Sequence, residues 1–210
     1  MVYLILKLTI IPLVKLWIKK INGVENIPKE KGFIIVPNHS SYMDHLIIGS
    51  IFIPYLNKKS HFLAKKEYFD KFFERVWHNY IGGIPLDRQT GSNKSLEIAI
   101  KLLKQNKIIG IYPEGTRTLT GKIQKAKTGV ARLALLSKVP VLPIGLVGTF
   151  KILPKGKYMP RFRKATINIG KPMYFDKYYN RPITKKLLRE ITTKIMKEIA
   201  KLSGQKYNFD

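Results

Sequence analysis

The chain has 210 residues, 39 Lys plus Arg against 13 Asp plus Glu, and no cysteine. At roughly 100–200 residues per domain this is one domain, large enough for a core without staples; 45% hydrophobic and 25% charged residues exclude a disordered polyampholyte and a polytopic membrane protein. Without cysteine there is no disulfide framework, thiol nucleophile or Cys-ligated zinc, and a net charge of +26 asks for an anionic partner: nucleic acid, a membrane surface or an acidic protein.

The chain opens with MVYLILKLTIIPLVKLWIKKI. Its lysine-free runs fall far short of the ~20 apolar residues of a spanning helix, and Lys7 and Lys15 would each cost roughly 2.5–3.5 kcal/mol inside a bilayer. No small-residue cleavage site follows, as a secretory signal requires. As one helix, residues 1–21 place Lys15 and Lys19 on a shared face, with Tyr3, Leu4, Leu8, Ile11 and Trp17 supplying apolar bulk. That pattern fits an amphipathic helix lying in a membrane interface. A core-packing helix with solvated lysines is the alternative, and Pro12 kinks either version. Residues 22–210 form the globular domain.

GFIIVPN (32–38) is a short, branched apolar run and reads as a buried strand. It leads through Asn38-His39-Ser40-Ser41-Tyr42-Met43-Asp44 into a helix over 42–52. An imidazole is suited to taking a proton near neutral pH, and a carboxylate within reach fixes its tautomer. Five positions apart on one regular helix, His39 and Asp44 would diverge by about 140°. With His39 in the strand-to-helix loop and Asp44 in the first turn, they can meet. The same residues also read as a capping box, Ser41-x-x-Asp44, with His39 a plain loop residue.

SHFLAK (60–65) is the next strand, residues 69–80 an amphipathic helix, and GGIPLD (82–87) a strand that runs into Arg88. Arg88 is a phosphate contact or half of a surface ion pair with Asp87. A helix over 96–105 and the strand KIIGIYP (107–113) precede Pro113-Glu114-Gly115-Thr116-Arg117. Glycine lets backbone approach an anion and the planar fork of Arg117 can grip a phosphate; a Pro-Gly turn with a surface arginine is the plainer reading. A P-loop is excluded, because five residues separate Gly115 from Gly121 and Ile123 stands where Ser or Thr should bind magnesium. A helix over 126–137 follows. In Val139-Pro140-Val141-Leu142-Pro143 the two prolines suggest an edge strand or the opening of one. A strand over 164–170 comes next, then a C-terminal helix with Leu187, Leu188, Ile191, Ile195, Ile199 and Leu202 on one face. Strands alternating with helices predict a single α/β domain with a mostly parallel central sheet flanked by helices, and ligands at the carboxyl ends of its strands. From Gly115 to Phe175 there are thirteen cationic residues and no acid. No G-x-S-x-G elbow or H-E-x-x-H motif occurs, and His45, His61 and His78 lack metal-ligand spacing.

Taken together and in this order, NHSSYMD, GGIPLDR, YPEGTR and VPVLP resemble the four sequence blocks of the 1-acyl-sn-glycerol-3-phosphate acyltransferase family, across roughly residues 33–146. Lys127-Thr128-Gly129 ahead of a helix is also similar to the family. Departures are small: Pro85 stands where an aromatic or aliphatic residue is common, and Tyr112 where Phe is frequent. The resemblance implies an acyltransferase domain over 22–210 that moves a fatty acyl group from a thioester donor, acyl-CoA or an acidic acyl carrier protein, to the sn-2 hydroxyl of 1-acyl-sn-glycerol 3-phosphate, giving phosphatidic acid. It implies His39 as general base oriented by Asp44, and Arg88 and Arg117 on the acceptor phosphate, with Glu114, Gly115 and Thr116 shaping that loop. It also implies no metal, no cofactor beyond the donor substrate, and a peripheral or monotopic place against anionic lipid on the cytoplasmic face of the cell membrane. Three rivals stay open: a sister acyltransferase using glycerol 3-phosphate or another lysophospholipid, a basic nucleic-acid-binding protein, and a non-catalytic membrane scaffold. No helix-turn-helix, RNA-binding consensus or zinc finger supports the second.

Overall fold

Phe33, Ile34, Ile35 and Val36 have no exposed surface. A strand that is apolar at every position must be covered on both faces, and β2 (Ile34–Pro37) accordingly runs through the middle of the molecule. In this computed structural model, which describes residues 3–29, 31–87 and 93–209, β2 pairs in parallel with β5 (Ile108–Gly110) on one side and β6 (Val141–Val147) on the other. β3 (Ser60–Lys65) pairs in parallel with β5 and with β4 (Gly83–Leu86). At the far end β7 (Ala165–Ile169) runs antiparallel to β6 and parallel to β1 (Ile18–Asn22). The sheet order is β1-β7-β6-β2-β5-β3-β4, so the expected α/β domain with a mostly parallel sheet is the one that forms.

Side chains alternate across a strand, and β2 shows what each face meets. Ile34 and Val36 join the core under α5 (Asn93–Lys104), α6 (Gly129–Ser137) and α7 (Lys185–Leu202). Phe33 and Ile35 join the core under α3 (Met43–Leu56), together with Val14 from the N-terminal segment. α4 (Phe72–Ile81) packs beside β4 at the sheet edge.

Two readings from the sequence change. Residues 1–21 are not one helix. α1 (Leu4–Leu8) and α2 (Ile10–Lys15) break at Thr9, whose hydroxyl donates to the Ile5 carbonyl at 2.7 Å. Pro12 sits in the first turn of α2, where its missing N–H costs no intrahelical bond. Lys19 and Lys20 lie in β1, because pairing of Ile18 with Ala165 and of Ile21 with Ile167 outweighs continued helix; the boundary expected at 21/22 falls inside that strand. The second change is β6: its prolines suggested an edge strand or the opening of one, and Pro140 does stand just before the strand, but β6 lies between β7 and β2 rather than at an edge. The Pro143 carbonyl accepts from Gly170 N at 2.9 Å. Pro143 thus lies opposite Gly170, one residue past the end of β7. Pro85 obeys the usual rule, since β4 is at the sheet edge. Among the described residues, no helix is long and apolar enough to cross a membrane.

Candidate active site

β2 and β5 both end in the middle of the sheet, and the two loops that leave them meet. The first is held at its root by Asn38, which is buried and reads both backbone groups of Leu146: its amide donates to the carbonyl at 3.1 Å and its oxygen accepts the N–H at 2.7 Å. His39 then stands in the loop and Asp44 in the first turn of α3, and His39 Nδ1 lies 2.9 Å from Asp44 Oδ2. The same carboxylate oxygen accepts from Ser40 N at 2.7 Å and Ser41 N at 2.8 Å, while Ser41 Oγ accepts from Met43 N at 3.1 Å. The capping geometry and the imidazole–carboxylate pair are thus one arrangement: the helix start fixes the carboxylate, and the carboxylate fixes the ring. Asp44 is completely buried and the His39 side chain is 17% exposed, with Nδ1 taken up by the carboxylate.

The second loop braces the first. Glu114 is buried, and its Oε1 accepts the His39 N–H at 2.8 Å while Oε2 accepts Gln124 N at 2.8 Å. Thr118 N donates to the His39 carbonyl at 3.0 Å. Burial raises the Glu114 carboxyl to about 7 against the pull of its N–H donors, with Asp44 adding in the same direction. Gly115 takes φ +73°, a left-handed turn that suits glycine, and the Lys127 side chain runs beside it. Thr116 is exposed and its carbonyl accepts from Gln124 Nε2 at 3.1 Å. The Arg117 guanidinium carbon sits 3.5 Å from the centroid of the Tyr42 ring, and Nη2 donates to the Tyr68 hydroxyl at 3.3 Å. His39, Asp44, Glu114, Gly115, Thr116 and Arg117 are therefore gathered at one end of the sheet. Arg88 lies outside the described residues.

Other residues complete the site and had little signal in the sequence. Tyr112 stacks on His39 with ring centroids 3.8 Å apart and 19° between planes; its buried hydroxyl and Asp44 Oδ1 have no hydrogen-bond partner among the described residues. Burial pushes the Tyr112 phenol well above its ordinary range, so it stays neutral. Phe62 continues the stack to Tyr112 and packs its edge on His45; it lies so close to Gly110 that a Cβ there would sit 2.1 Å from its ring. Phe62 and His45 form the near wall of a mainly apolar cleft that runs between α1, α2, α3 and α4, lined further by Leu6, Ile10, Leu46 and Ile81. Burial lowers His45 to about 4, which keeps it uncharged in that apolar wall. Among the described residues, no group of His, Cys, Asp and Glu could hold a metal ion.

A protonatable ring with an oriented tautomer, a cationic loop and an apolar cleft suit deprotonation of a hydroxyl on an amphiphile that carries an anionic group. Comparison with known proteins gives the family. Residues 19–147 match the family model described as Acyltransferase. The 1-acyl-sn-glycerol-3-phosphate acyltransferase of Bacillus subtilis is 30% identical over 186 residues, 89% of this chain and 88% of that protein. The probable 1-acyl-sn-glycerol-3-phosphate acyltransferase of Mycoplasma pneumoniae is 30% identical over 76% of this chain, which spans 59% of that longer relative. In three dimensions, the crystal structure of the 1-acyl-sn-glycerophosphate acyltransferase PlsC from Thermotoga maritima matches 96% of this chain and 83% of its own, with a TM-score of 0.68 and 25% identity. With the model match covering more than half of the chain and the Bacillus relative nearly all of it, the chain belongs to the 1-acyl-sn-glycerol-3-phosphate acyltransferase family and is an O-acyltransferase.

Proposed function

We propose that the chain transfers a fatty acyl group from a thioester donor, acyl-CoA or acyl carrier protein, to the sn-2 hydroxyl of 1-acyl-sn-glycerol 3-phosphate, giving phosphatidic acid. The observation that carries the reading is the His39–Asp44 contact of 2.9 Å, beside the Arg117 loop and joined through Tyr112 to Phe62 on the wall of the apolar cleft. An alcohol is a poor nucleophile until a base takes its proton during attack. His39 Nε2 takes that proton as the hydroxyl oxygen bonds to the thioester carbonyl carbon. Asp44 holds Nδ1–H and offsets the charge of the imidazolium. When the tetrahedral intermediate collapses, the C–S bond breaks and the imidazolium returns the proton to the leaving thiolate. No acyl-enzyme is formed, which suits a chain with no cysteine and no serine elbow.

Arg117, with Arg88 as its partner, binds the acceptor phosphate, and Gly115, Thr116 and Lys127 shape and charge that loop. Glu114, with both oxygens engaged by backbone donors, holds the two loops together. An acyl chain lies in the cleft past Phe62, where transfer of each methylene out of water is worth about 0.8 kcal/mol. α1 and α2 leave Leu4, Ile5, Leu8, Leu13 and Leu16 exposed; they rest in the interface of an anionic membrane, on its cytoplasmic face, without spanning it.

The experiment is direct. Purified protein is offered lysophosphatidic acid, glycerol 3-phosphate or lysophosphatidylcholine, each with acyl-CoA or acyl carrier protein donors, and the lipid products are identified. Phosphatidic acid from lysophosphatidic acid is the expected result. Product only from glycerol 3-phosphate or another lysolipid would reassign the acceptor, and none with any pair would remove the reading.

A further inference from the structure

Residues 155–164, in the connection between β6 and β7, are exposed one after another. They read KGKYMPRFRK: five cations, no acid, and three large apolar side chains. Tyr158 is 93% exposed, Met159 81% and Phe162 90%. Single exposed apolar residues are ordinary, but three together, set among cations, mark an interaction surface. The loop is held in shape. Lys157 N donates to the Pro154 carbonyl at 3.1 Å and Arg161 N to the Ile152 carbonyl at 2.9 Å. Trp17 donates from Nε1 to the Arg161 carbonyl at 3.0 Å, and its indole stacks on Phe162 with centroids 6.1 Å apart. Backbone bonds and one tryptophan thus fix a tip whose side chains turn outward.

We infer that this loop is a second bilayer contact: Tyr158, Met159 and Phe162 enter the headgroup region of an anionic membrane while the flanking lysines and arginines meet lipid phosphates. The inference rests on the lipid-acceptor reading above and adds a place where the protein touches the lipid. Interleaved aromatic and cationic residues match a surface whose outer layer is anionic and whose next layer is apolar. Through Trp17 the tip is continuous with the end of α2, where Leu13 and, just past the helix, Leu16 are also exposed. A nucleic acid would use the cations and leave Met159 without a role. The loop's root reaches the active site as well, since the Leu153 carbonyl accepts from Ser41 Oγ at 2.8 Å and Tyr42 N at 3.0 Å. Seating the tip in lipid therefore sets the His39–Asp44 loop at the membrane surface.

The absence of cysteine permits a direct test. Phe162→Cys, labelled with a polarity-sensitive fluorophore, reports on the tip; Lys197→Cys, on the exposed side of α7, reports on the opposite face of the sheet. Each is titrated with vesicles of phosphatidylglycerol and phosphatidylethanolamine. A blue shift at 162 and none at 197 is expected, and unlabelled Y158S/M159S/F162S should bind these vesicles at least about tenfold more weakly than the parent, with an unchanged circular dichroism spectrum. If the triple variant misfolds, the 162/197 pair decides alone. No shift at 162 on vesicles that bind the protein, or undiminished binding by a folded triple variant, would overturn the loop contact. A shift with an acidic acyl carrier protein and none with vesicles would overturn lipid as the partner. Absence of acyl transfer by the parent on detergent-dispersed lysophosphatidic acid would count against the acceptor reading alone, leaving the fluorescence result to stand on its own.

Discussion

The two faces of the sheet are finished in opposite ways. Under α7, Leu188, Ile191, Ile195, Met196 and Ile199 are at most 3% exposed, and the lysines of the same helix take the solvent side. That amphipathic division closes the core beneath the helix. On the other face, α3 is apolar nearly all round, yet the elements beyond it still expose Leu8, Phe73 and Phe162. A closed core contributes stability, whereas an apolar surface left open offers a place for a partner, which the proposals above assign to an acyl chain and a bilayer. The two loops that meet at His39 lie between these regimes: Asn38, Ser40, Ser41, Asp44, Glu114 and Thr118 are buried, while Tyr42, Thr116 and Leu119 reach the surface.

If this division holds, substitutions should separate activity from stability. The largest effect belongs to His39→Ala, expected to lower turnover by about 10²–10⁴-fold in a protein that still folds; Asp44→Asn should approach it through loss of the oriented tautomer. Turnover assays beside thermal melts would break the comparison if a folded His39→Ala kept its rate. On the closed face, Ile195→Ala should cost about 2–5 kcal/mol of stability and leave kcat per folded molecule alone, as read by urea denaturation and turnover below the transition.

Glu114 belongs to both regimes and is read by pH. Its carboxyl is held at about 7 against an ordinary 4.5, by burial first. Between those values the folded chain keeps a proton that the unfolded chain releases. The contribution is therefore complete below about 4.5 and lost as pH rises through about 7. Stability should fall by on the order of 3 kcal/mol across that window, and Glu114→Gln should flatten the slope in urea melts taken at several pH values. Equal slopes in the two proteins would place the proton elsewhere.

Smaller effects sharpen the picture. Arg117→Lys keeps the charge but loses the planar fork and its stacking on Tyr42, so the apparent acceptor KM should rise about tenfold with little change in kcat. An unchanged KM in this variant and in Arg117→Ala would move the phosphate site away from Arg117. Smallest of all, Tyr112→Phe removes a buried hydroxyl with no described partner while keeping the ring on His39. Its melting point should hold or rise, by no more than about 1 kcal/mol in stability, and a clear loss would reveal a partner for that hydroxyl.

Apolar runs with flanking turns were enough to read six of the seven strands and the order of helices between them, because alternation and length depend only on local residue type. The loop residues were legible for a related reason: His39 next to Asp44, and Glu114 with Arg117, are close in sequence and sit where strands end. β1 was hidden, since Ile18–Asn22 becomes a strand only when β7, more than 140 residues later, offers an edge. For the same reason Pro143 misled as a sign of a sheet edge: which strands flank β6 is set by tertiary pairing, and no local pattern states it.

Composition and motif spacing by themselves thus determined an α/β chain with an imidazole, a carboxylate and a basic loop at strand ends; the roles given to them came from the resemblance of the four blocks to a family. Only the tertiary structure decided how those parts meet. It stacked Tyr112 on His39, turned Glu114 into a strut between two loops, opened the cleft between α1, α2, α3 and α4, and set Trp17 against Phe162. Each of these joins residues far apart in the chain, through contacts that form only after the sheet has brought their elements together.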